Sequence, residues 1–594
     1  MVTNSALAEK QNSAYRPAHF FNQLMNWKIL DPDPKIVSKN MKEFHCTEII
    51  AKTMANRGII SLNDSYTFFN PDLNQLHDPF LMKDMEQAVD RIILNIDKHI
   101  PMLIFGDYDV DGTTAASVLY LALNSLGAVV STYIPNRDIE GHGLSIQGIE
   151  HAQASGSDLI ITCDCGTNAF EQVNISNSLG IDVIVTDHHV PDDVLPDAFA
   201  VLNPQRTDCT YPFDSLCGSG VAFKLAYALM KKTGKELASL LNLLDIVTMG
   251  TAADFVPILD ENRIIVHYGI EQLSSTTHLG IQSLLEQVGL TTNSLSVGQL
   301  VFNVTPKINA AGRMGDGNRA VELLTTQDYG RASELAEELV CENKKRRKIQ
   351  DTVLDDAIRK VNSEVDIKND KAIILADCEW HSGVIGIVAS KLKEEYNRPI
   401  IIISIGEDGI GKGSARSIEN FDMYDALTNT RRFLEGYGGH PMAAGFTVKE
   451  ENLNNFRKTF LHYSKERLTK AELVQTIVLE GEIHLKDINS RFMTFLNKLE
   501  PYGPGNMRPK FVIRNVIIAG NPKVIGNGDH LKFKVRQGKT VYGAIGFNMS
   551  QHYEKLIKGC PLDIACLIEI NEWRGQESIQ LNVRDIKLSG KSHD

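Results

Sequence analysis

Residues 102–113 read MLIFGDYDVDGT and carry the clearest indication of the fold, a buried strand followed by closely spaced acids. Its first residues, Met102 to Phe105, are continuously apolar, as in strands that are buried on both faces of a parallel sheet. Three carboxylates follow at alternate positions, those of Asp107, Asp109 and Asp111. Alternation in an extended segment would place them on one side, and like charges this close repel unless a cation compensates them. The spacing alone also fits a calcium-type or purely turn-forming acidic loop.

Apolar runs and amphipathic stretches alternate around this motif, from about residue 50 to about residue 250. Leu159 to Thr162 and Val183 to Thr186 have the composition of buried strands. Ala115 to Leu126 and Val221 to Met230 have that of helices. Strands that alternate with helices predict a parallel sheet covered on both faces, and ligands of such sheets bind beyond the carboxyl ends of the strands.

Acids and two adjacent histidines follow the other predicted strands. Asp164-Cys165-Gly166 comes after the strand at 159–162, and Asp187-His188-His189 comes after the strand at 183–186. A further acid, Asp254, ends the run Gly250-Thr251-Ala252-Ala253-Asp254 behind an apolar, helix-like stretch. Four such segments of one sheet would converge on one edge and supply oxygen and nitrogen ligands for two Mg²⁺ or Mn²⁺ ions. Sites with two metal ions suit phosphodiester hydrolysis.

The chain has the composition of a multidomain globular protein, with 594 residues of which 43% are apolar and 23% are charged. The later parts of the chain differ in pattern. Residues 328–361 have helical spacing, 371–404 return to an α/β pattern, and short alternating runs begin at about 475. We expect five segments: a lead-in (1–45), an α/β domain (46–290), a connecting helical segment (291–365), a smaller α/β domain (366–470) and a C-terminal β-barrel (471–594).

Bulk properties exclude several classes of protein. The net charge of −13 argues against a general DNA-coating protein, although a basic channel can lie within an acidic molecule. No run approaches the roughly 18 uncharged apolar residues of a membrane span, and Met1 to His19 lacks the apolar centre of a signal peptide. Nine scattered cysteines without a CxxC pair do not form a disulfide framework. We therefore expect a cytoplasmic protein with no membrane contact.

Taken together, the motifs resemble those of the DHH phosphoesterase superfamily, and its RecJ branch in particular. The superfamily motifs are matched by 109–112, 164–166 and 187–189, and the RecJ branch is matched by 106–112, 211–212, 218–224 and 250–254. The resemblance runs from about residue 45 to the C-terminus. It implies a single-stranded-DNA-specific exonuclease that works from 5′ to 3′, releases mononucleotides and acts in DNA repair and recombination. It also implies a single-strand-binding protein and a RecQ-type helicase as partners.

The resemblance assigns roles by position. It implies metal ligands at Asp109, Asp111, Asp164, His188 and Asp254. His189 would contact the scissile phosphate, Asp107 would orient ligands, and Arg313 would reach back to the metal site. Many small-substrate members have a His where this chain has Phe105, and its replacement fits the RecJ branch.

Other residues are implied as DNA contacts. Arg137 would bind the DNA backbone, although a surface salt bridge is the alternative. In the second α/β domain, Ser414, Arg416 and His440 would hold the 5′ phosphate end, with His381 as a further candidate contact. Small residues near these donors let a backbone approach phosphate closely.

The C-terminal segment fits an oligonucleotide-binding barrel, which combines basic residues with stacking aromatics. The charge would come from Lys523, Lys532, Lys534, Arg536 and Lys539. Phe533, Tyr542 and Phe547 are either stacking platforms or core residues. Two other functions remain open: an enzyme on small substrates such as short oligonucleotides, cyclic dinucleotides or pyrophosphate, and a non-catalytic DNA or replisome scaffold.

Overall fold

A computed structural model describes residues 25–137, 139–290, 295–573 and 575–590. The chain divides into two compact units, of which one contains Ile29–Val340 with Val478–Asp594 and the other contains Cys341–Ile477. The first 24 residues of the predicted lead-in, and with them the segment Met1 to His19, lie outside the described residues. Among the described residues, every helix is too short or too polar to span a bilayer.

A short strand and four helices precede the first sheet. They are β1 (Asn26–Ile29), α1 (Pro34–Glu43), α2 (Glu48–Ala55), α3 (Leu62–Phe69) and α4 (Met85–Lys98). The Asp33 side chain caps α1, which has Pro34 in its first turn, and the Ser61 side chain caps α3. Such caps satisfy backbone N–H groups that have no partner within the helix.

A five-stranded parallel sheet carries the first domain, as the sequence predicts. Its elements are β2 (Met102–Gly106), α5 (Val110–Ser125), β3 (Val130–Tyr133), α6 (Ile146–Ala154), β4 (Leu159–Cys163), α7 (Phe170–Ser178), β5 (Asp182–Thr186) and β6 (Ala200–Leu202). Both faces are covered, because Ile104 lies in the core cluster that includes α5 and Phe105 lies in the cluster that includes α6. The predicted strands and helices are confirmed.

The strand order of this sheet is β3-β2-β4-β5-β6, so the direction of winding reverses between β2 and β4. At such a point the connections that leave the two strands diverge to opposite sides. A crevice then opens beyond the carboxyl ends of the strands. Asp107 follows β2 and Asp164 follows β4, so both acids lie where this fold binds ligands.

Further helices complete the first domain: α8 (Gly218–Lys232), α9 (Leu244–Ala253), α10 (Asp260–Leu273), α11 (Leu279–Gln287), α12 (Val297–Gln299), α13 (Thr305–Met314) and α14 (Asn318–Thr325). Both α8 and α9 pack against α5. Residues 244–252 of α9 are all buried, so α9 is a central helix with neighbours on every side.

The second unit is built on a mixed sheet of order β10-β11-β9-β8-β7, in which β7 and β8 are parallel. The elements from the long helix onwards are α15 (Tyr329–Glu364), β7 (Ile373–Asp377), α16 (Ser382–Tyr396), β8 (Ile400–Ile405), β9 (Ile410–Arg416), α17 (Met423–Thr430), β10 (Leu434–His440), β11 (Ala443–Lys449) and α18 (Leu453–Arg467). Ile373 packs with α16 and Ile374 packs with α17 and α18, so this sheet is also covered on both faces. The predicted long helix and second α/β domain are confirmed.

The C-terminal part is a closed β-barrel. Its elements are β12 (Thr476–Leu479), α19 (Ser490–Lys498), β13 (Lys510–Ile518), β14 (Lys523–Ile525), β15 (His530–Gln537), β16 (Thr540–Gly546), α20 (Tyr553–Ile557), β17 (Leu562–Trp573) and β18 (Gln576–Leu588). β12 pairs with β1, and the other strands form the order β13-β17-β18-β16-β15-β14, which pairing of β13 with β15 closes. Ile49, Ile50 and Met54 of α2 share the barrel core.

A buried arginine joins α10 to the turn at which the chain enters the barrel. Arg263 is 4% exposed, and its guanidinium donates hydrogen bonds to backbone carbonyls alone in the contacts described: those of Phe68, Lys498, Leu499, Glu500 and Pro501. These carbonyls include the last ones of α19, which have no partner inside the helix. Arg263 therefore holds the barrel to the first domain.

We expect Arg263→Met to lower the stability of the first unit, because it removes the described donor to the carbonyls of Phe68, Lys498 and Glu500. The loss should be about 3 kcal/mol or more, which for a unit of this size is a fall of about 3 °C or more in the midpoint of thermal unfolding. Arg331→Met is the control, because the Arg331 side chain lies in the same unit, is 39% exposed and pairs with Glu322 and Glu334 at the surface. Equal midpoints for the two variants would contradict the role given to Arg263.

Candidate metal centre

Carboxylates and imidazoles collect at the carboxyl edge of the parallel sheet. Asp107, Asp164 and Asp187 each come directly after a strand, β2, β4 and β5 respectively. His188 and His189 follow Asp187. The crevice at the reversal of the strand order brings these three strand ends together.

His188 lies among three carboxylates. Its Nε2 atom is 3.1 Å from Asp164 Oδ1, 3.5 Å from Asp254 Oδ2 and 3.8 Å from Asp111 Oδ2. Burial lowers the pKa of His188, so the imidazole is neutral and its ring nitrogen is available as a metal ligand.

A second group of carboxylates adjoins the first. One ligand atom from each of Asp107, Asp109 and Asp164 lies within 4.8 Å of the other two. Asp164 also belongs to a group with His188 and His189. Because Asp164 belongs to both groups, it would help to hold the cations of either one. The five predicted metal ligands and Asp107 therefore all lie in this one centre.

The residues of the centre fit divalent cations. Among the described residues, the buried atoms Asp107 Oδ1, Asp164 Oδ1 and His188 Nε2 have no hydrogen-bond partner, and such atoms are costly to bury unless another ligand satisfies them. Burial and the neighbouring carboxylates raise the pKa of Asp164 well above its usual range, that of Asp109 to about 6 and that of Asp254 to about 8. Cations would remove this repulsion, and oxygen ligands with one imidazole suit Mn²⁺ and Mg²⁺.

The start of α8 holds Asp111. The backbone N–H of Gly218 donates to Asp111 Oδ2 at 2.5 Å, and that of Ser219 donates to Oδ1 at 2.9 Å. The positive end of a helix stabilises a carboxylate in this position. Asp111 itself lies in the first turn of α5, and the Asp109 side chain caps that helix. The expectation that an extended segment aligns the three acids is therefore wrong: Asp107 follows the strand β2, and the start of α5 places Asp109 and Asp111.

Asp254 follows a helix, as its apolar, helix-like run predicts, but that run is not a segment of the sheet as expected. It lies at the end of α9, which packs against α5. Gly250 of α9 makes this packing possible: a methyl group there would lie 2.2 Å from Ser219 Oγ and 2.7 Å from Asp111 Oδ1. The fourth acid therefore reaches the centre by helix packing, and the sheet supplies only the other segments.

Asp187 orients the neighbouring histidine. Asp187 Oδ1 is 2.7 Å from His189 Nδ1, and the N–H groups of Thr167 and His188 donate to the same carboxylate. Burial raises the pKa of Asp187, but the hydrogen bond from His189 and the other donors outweigh it and lower the pKa to about 2. The hydrogen bond to Asp187 raises the pKa of His189 to about 9, so His189 is an imidazolium at neutral pH.

Tyr108 was not predicted as a site residue, since a residue between two acids has the pattern of a spacer. Its buried ring lies 5.3 Å from the guanidinium carbon of Arg137, and its hydroxyl is 2.8 Å from His142 Nδ1. A methyl group on Gly312 would lie 2.2 Å from the Tyr108 carbonyl oxygen, which places α13 and its last-turn residue Arg313 against Tyr108. Tyr108 thus contacts the predicted Arg137 and the helix that carries the predicted Arg313.

Phe105, which stands where a His is expected in many small-substrate members, lies in an apolar environment. Phe105 is fully buried, and its ring stacks on Tyr133 at 5.5 Å. Phe105 therefore contributes to the core of the sheet.

The second unit brings two of its four predicted residues into contact. Arg416 Nη1 donates to Ser414 Oγ at 3.2 Å, and Arg416 Nε donates to Ser390 Oγ of α16 at 3.2 Å. His440 lies two strands from Arg416 on the same rung, since Ala443 pairs with both. His381 caps α16 by accepting a hydrogen bond from the Gly383 N–H at 3.0 Å.

The sheet, its reversal point and the shared aspartate define a DHH phosphoesterase. Residues 101–251 match the N-terminal domain of the DHH family, 369–466 match the DHHA1 domain and 479–585 match the RecJ OB domain. The chain is 36% identical over 566 residues to a single-stranded-DNA-specific exonuclease RecJ of Bacillus subtilis, with 95% of this chain and 71% of that protein covered. The chain belongs to the RecJ family.

Solved structures agree with this assignment. RecJ of Thermus thermophilus in complex with Mn²⁺ matches 96% of this chain with a TM-score of 0.82 at 27% identity, and 80% of that chain is covered. RecJ of the same organism in complex with Mg²⁺ matches 96% of this chain and 79% of that one, with a TM-score of 0.77 at 27% identity. The predicted architecture of two α/β domains, a connecting helix and an OB-type barrel is confirmed.

We expect Gly218→Ala to disrupt metal binding, because a methyl group at this position would lie 2.5 Å from Asp164 Cβ. The displaced carboxylate is the one that both metal groups share. Wild-type protein should gain thermal stability when Mn²⁺ is added, since a ligand that binds the folded state stabilises it. Gly218→Ala should gain little or nothing.

The control for this experiment is Gly298→Ala in α12, where the nearest atom to an added methyl group is 3.9 Å away. It should keep the full gain with Mn²⁺. A full gain in Gly218→Ala as well would show that Asp164 does not need the space beside Gly218.

Proposed function

We propose that the protein is a metal-dependent exonuclease that hydrolyses single-stranded DNA from the 5′ end, releases mononucleotides and acts in DNA repair and recombination. The observation that carries the proposal is Asp164, which belongs both to the group with Asp107 and Asp109 and to the group with His188 and His189. Membership of the RecJ family supports the substrate, because the relatives are named for single-stranded DNA.

In this proposal, Asp109, Asp111, Asp164, His188 and Asp254 hold two divalent cations, Mn²⁺ or Mg²⁺. When bound, such cations supply a water nucleophile at neutral pH and stabilise the leaving oxygen. Asp107, whose buried Oδ1 has no hydrogen-bond partner in the part of the chain that the structure describes, completes the group around the shared aspartate and orients its neighbours.

Cationic side chains beside the acids bind the phosphate. His189 carries a positive charge that Asp187 maintains, and its side chain is 48% exposed, so it can donate a hydrogen bond to the scissile phosphate. Arg137 lies over the Tyr108 ring, and Arg313 belongs to the helix that packs on the Tyr108 backbone. Their planar guanidinium groups can bind phosphate oxygens in pairs. Arg137 serves the DNA backbone, and Arg313 the reacting end.

The second unit binds the 5′ phosphate end through Ser414, Arg416 and His440, with His381 as a further contact. Hydrogen bonds to Ser414 and Ser390 fix the Arg416 guanidinium. A guanidinium that is already ordered loses less entropy when it binds a phosphate.

The barrel contributes to binding of the strand. Along β15, Lys532, Lys534 and Arg536 are exposed, while Leu531, Phe533 and Val535 are buried. Lys523 of β14 pairs with Lys532 and adds to this basic face. Phe533 is thus a core residue.

The two alternative functions are less well supported. The barrel disfavours an enzyme on small substrates, and the complete acidic set disfavours a non-catalytic scaffold.

The remaining assignments rest on family membership. We propose the cytoplasm as the location, since that is where a bacterial-type DNA exonuclease meets its substrate. A single-strand-binding protein and a RecQ-type helicase are the proposed partners. The domain limits at 45, 290, 365 and 470 likewise stay part of the proposal.

We expect Asp164→Asn to abolish exonuclease activity without unfolding the protein. Replacing a residue that only supports a metal ligand lowers metal affinity or activity about 10- to 100-fold. Replacing a shared ligand should therefore lower activity by more than that. Asn tolerates the left-handed backbone that Asp164 adopts at φ 62°. The measurement is shortening of an end-labelled single strand with Mn²⁺, with the label at either end to give the direction.

The same variant has a second readout. In chelator, Asp164→Asn should unfold at or above the wild-type midpoint, because one of several mutually repelling carboxylates has gone. Asp97→Asn on the exposed side of α4 is the control and should keep full activity. Retained activity in Asp164→Asn would refute the metal assignment, and a label lost first from the 3′ end would refute the direction.

We expect Arg416→Ala to reduce the preference for a 5′-phosphorylated end over a 5′-hydroxyl end. A charge-assisted hydrogen bond contributes about 1.5–3 kcal/mol, which corresponds to about 10- to 150-fold in the ratio of the two kcat/KM values. Lys412→Ala, on the same strand and exposed, should leave that ratio unchanged. An unaltered ratio in Arg416→Ala would remove this residue from the end-binding site.

A further inference from the structure

An exposed aromatic ring stands beside the metal centre. Phe255 directly follows Asp254, whose Oδ2 atom is 3.5 Å from His188 Nε2, and Phe255 is 65% exposed. Its backbone is left-handed, with φ 61°, a conformation that bulky residues rarely adopt. Adjacent Cα atoms are about 3.8 Å apart, so the ring originates within one residue of a predicted metal ligand.

The segment that carries Phe255 is held at both ends. Asp254 ends the buried helix α9, and the Ile258 N–H donates to the Pro504 carbonyl of the barrel's entrance turn at 2.8 Å. A methyl group on Gly503 would lie 2.4 Å from Ile258 Cγ1, and one on Gly505 would lie 3.0 Å from Leu259 Cδ1. The glycines let the turn clamp this segment, and Ile258 is itself 1% exposed.

The exposure of the Phe255 ring and its left-handed backbone both cost free energy, and a binding partner would account for both costs. The exposed ring loses the stabilisation that burial gives, and the left-handed backbone adds a cost that the surrounding structure must meet. Such outliers collect at functional sites. A partner here must offer an apolar face to Phe255 and an anionic group to the adjoining cation site.

A nucleotide of a single strand has this combination of groups. We propose that the Phe255 ring stacks on the base of the nucleotide whose phosphate is bound at the Asp254 side of the metal centre. This inference rests on the proposed exonuclease function. Every base has an aromatic face, so the contact is independent of sequence.

The stacking also bears on strand specificity. In a duplex, each base is already stacked on both sides and paired, so the ring could engage it only after that stacking is broken. An unpaired end offers its base face at a lower cost. Phe255 would therefore favour single-stranded over double-stranded ends, in addition to holding the terminal nucleotides.

The test uses the full-length protein, Mn²⁺ and 5′-phosphorylated single strands with one abasic residue at each of the first few positions. For wild-type protein, one position should lower kcat/KM by about 5- to 150-fold, the range that base–aromatic stacking spans. Phe255→Ala should lose a similar factor on intact DNA and lose no more when the abasic residue occupies that position. Non-additivity of this kind identifies a direct contact.

Two further variants separate stacking from other effects. Phe255→Asn removes the ring but favours the left-handed backbone, and it should behave as Phe255→Ala does. Tyr66→Ala removes a ring of α3 that is also 65% exposed and should cleave every substrate as wild type does. The stabilisation of each variant by Mn²⁺ should equal that of wild type.

The outcomes distinguish the two proposals. Equal abasic penalties in wild type and Phe255→Ala overturn the stacking and leave the exonuclease function intact. A smaller Mn²⁺ stabilisation of the Phe255 variants also overturns it, since the residue would then act by positioning Asp254. Wild-type protein that fails to shorten intact single strands overturns the exonuclease function, and the stacking with it.

Discussion

The buried carboxylates around Asp164 repel one another, and the packing of the first domain has to hold them together. Asp107, Asp109 and Asp164 place ligand atoms within 4.8 Å of one another, and burial with crowding raises the pKa of Asp164 well above its usual range. A fold keeps such a group only where a cation compensates it and where the surroundings prevent the carboxylates from moving apart. The N-terminus of α8 does this for Asp111, and close packing at Gly218 does it for Asp164.

Much of this arrangement could be predicted from local signals. Continuous apolar runs identify buried parallel strands, and the position of Asp107, Asp164 and His188 directly after them places these residues at one edge of the sheet. The helix before Asp254 is visible in the sequence, but nothing local shows that α9 packs against α5 and α8 at Gly250 and so delivers Asp254 to the centre. Tyr108 could not be recognised either, since its contacts with Arg137 and Gly312 join residues that are distant in the chain.

The domains, too, could be predicted where a local pattern marks them, but their contacts with distant segments could not. The barrel was predictable because alternating residues in β15 face the core and the solvent in turn. That α2 completes the barrel core was not, because its Ile49, Ile50 and Met54 form an ordinary amphipathic pattern with no mark of their partner. Arg263 gave no signal, since its partners are backbone carbonyls and every residue type carries one. Contacts to backbone and contacts between distant segments are thus the part of this fold that single-sequence reasoning cannot reach.

The charge distribution makes the cations necessary for binding as well as for chemistry. A chain of net charge −13 with its acids gathered at the crevice repels a polyanion. His189 counters this at one point, because the Asp187 carboxylate keeps it protonated, with a pKa of about 9. Without cations, the raised pKa values of Asp164 and Asp254 leave part of this centre protonated. Divalent cations would displace those protons and reverse the local charge, so that metal binding and the attraction of a phosphate would be linked.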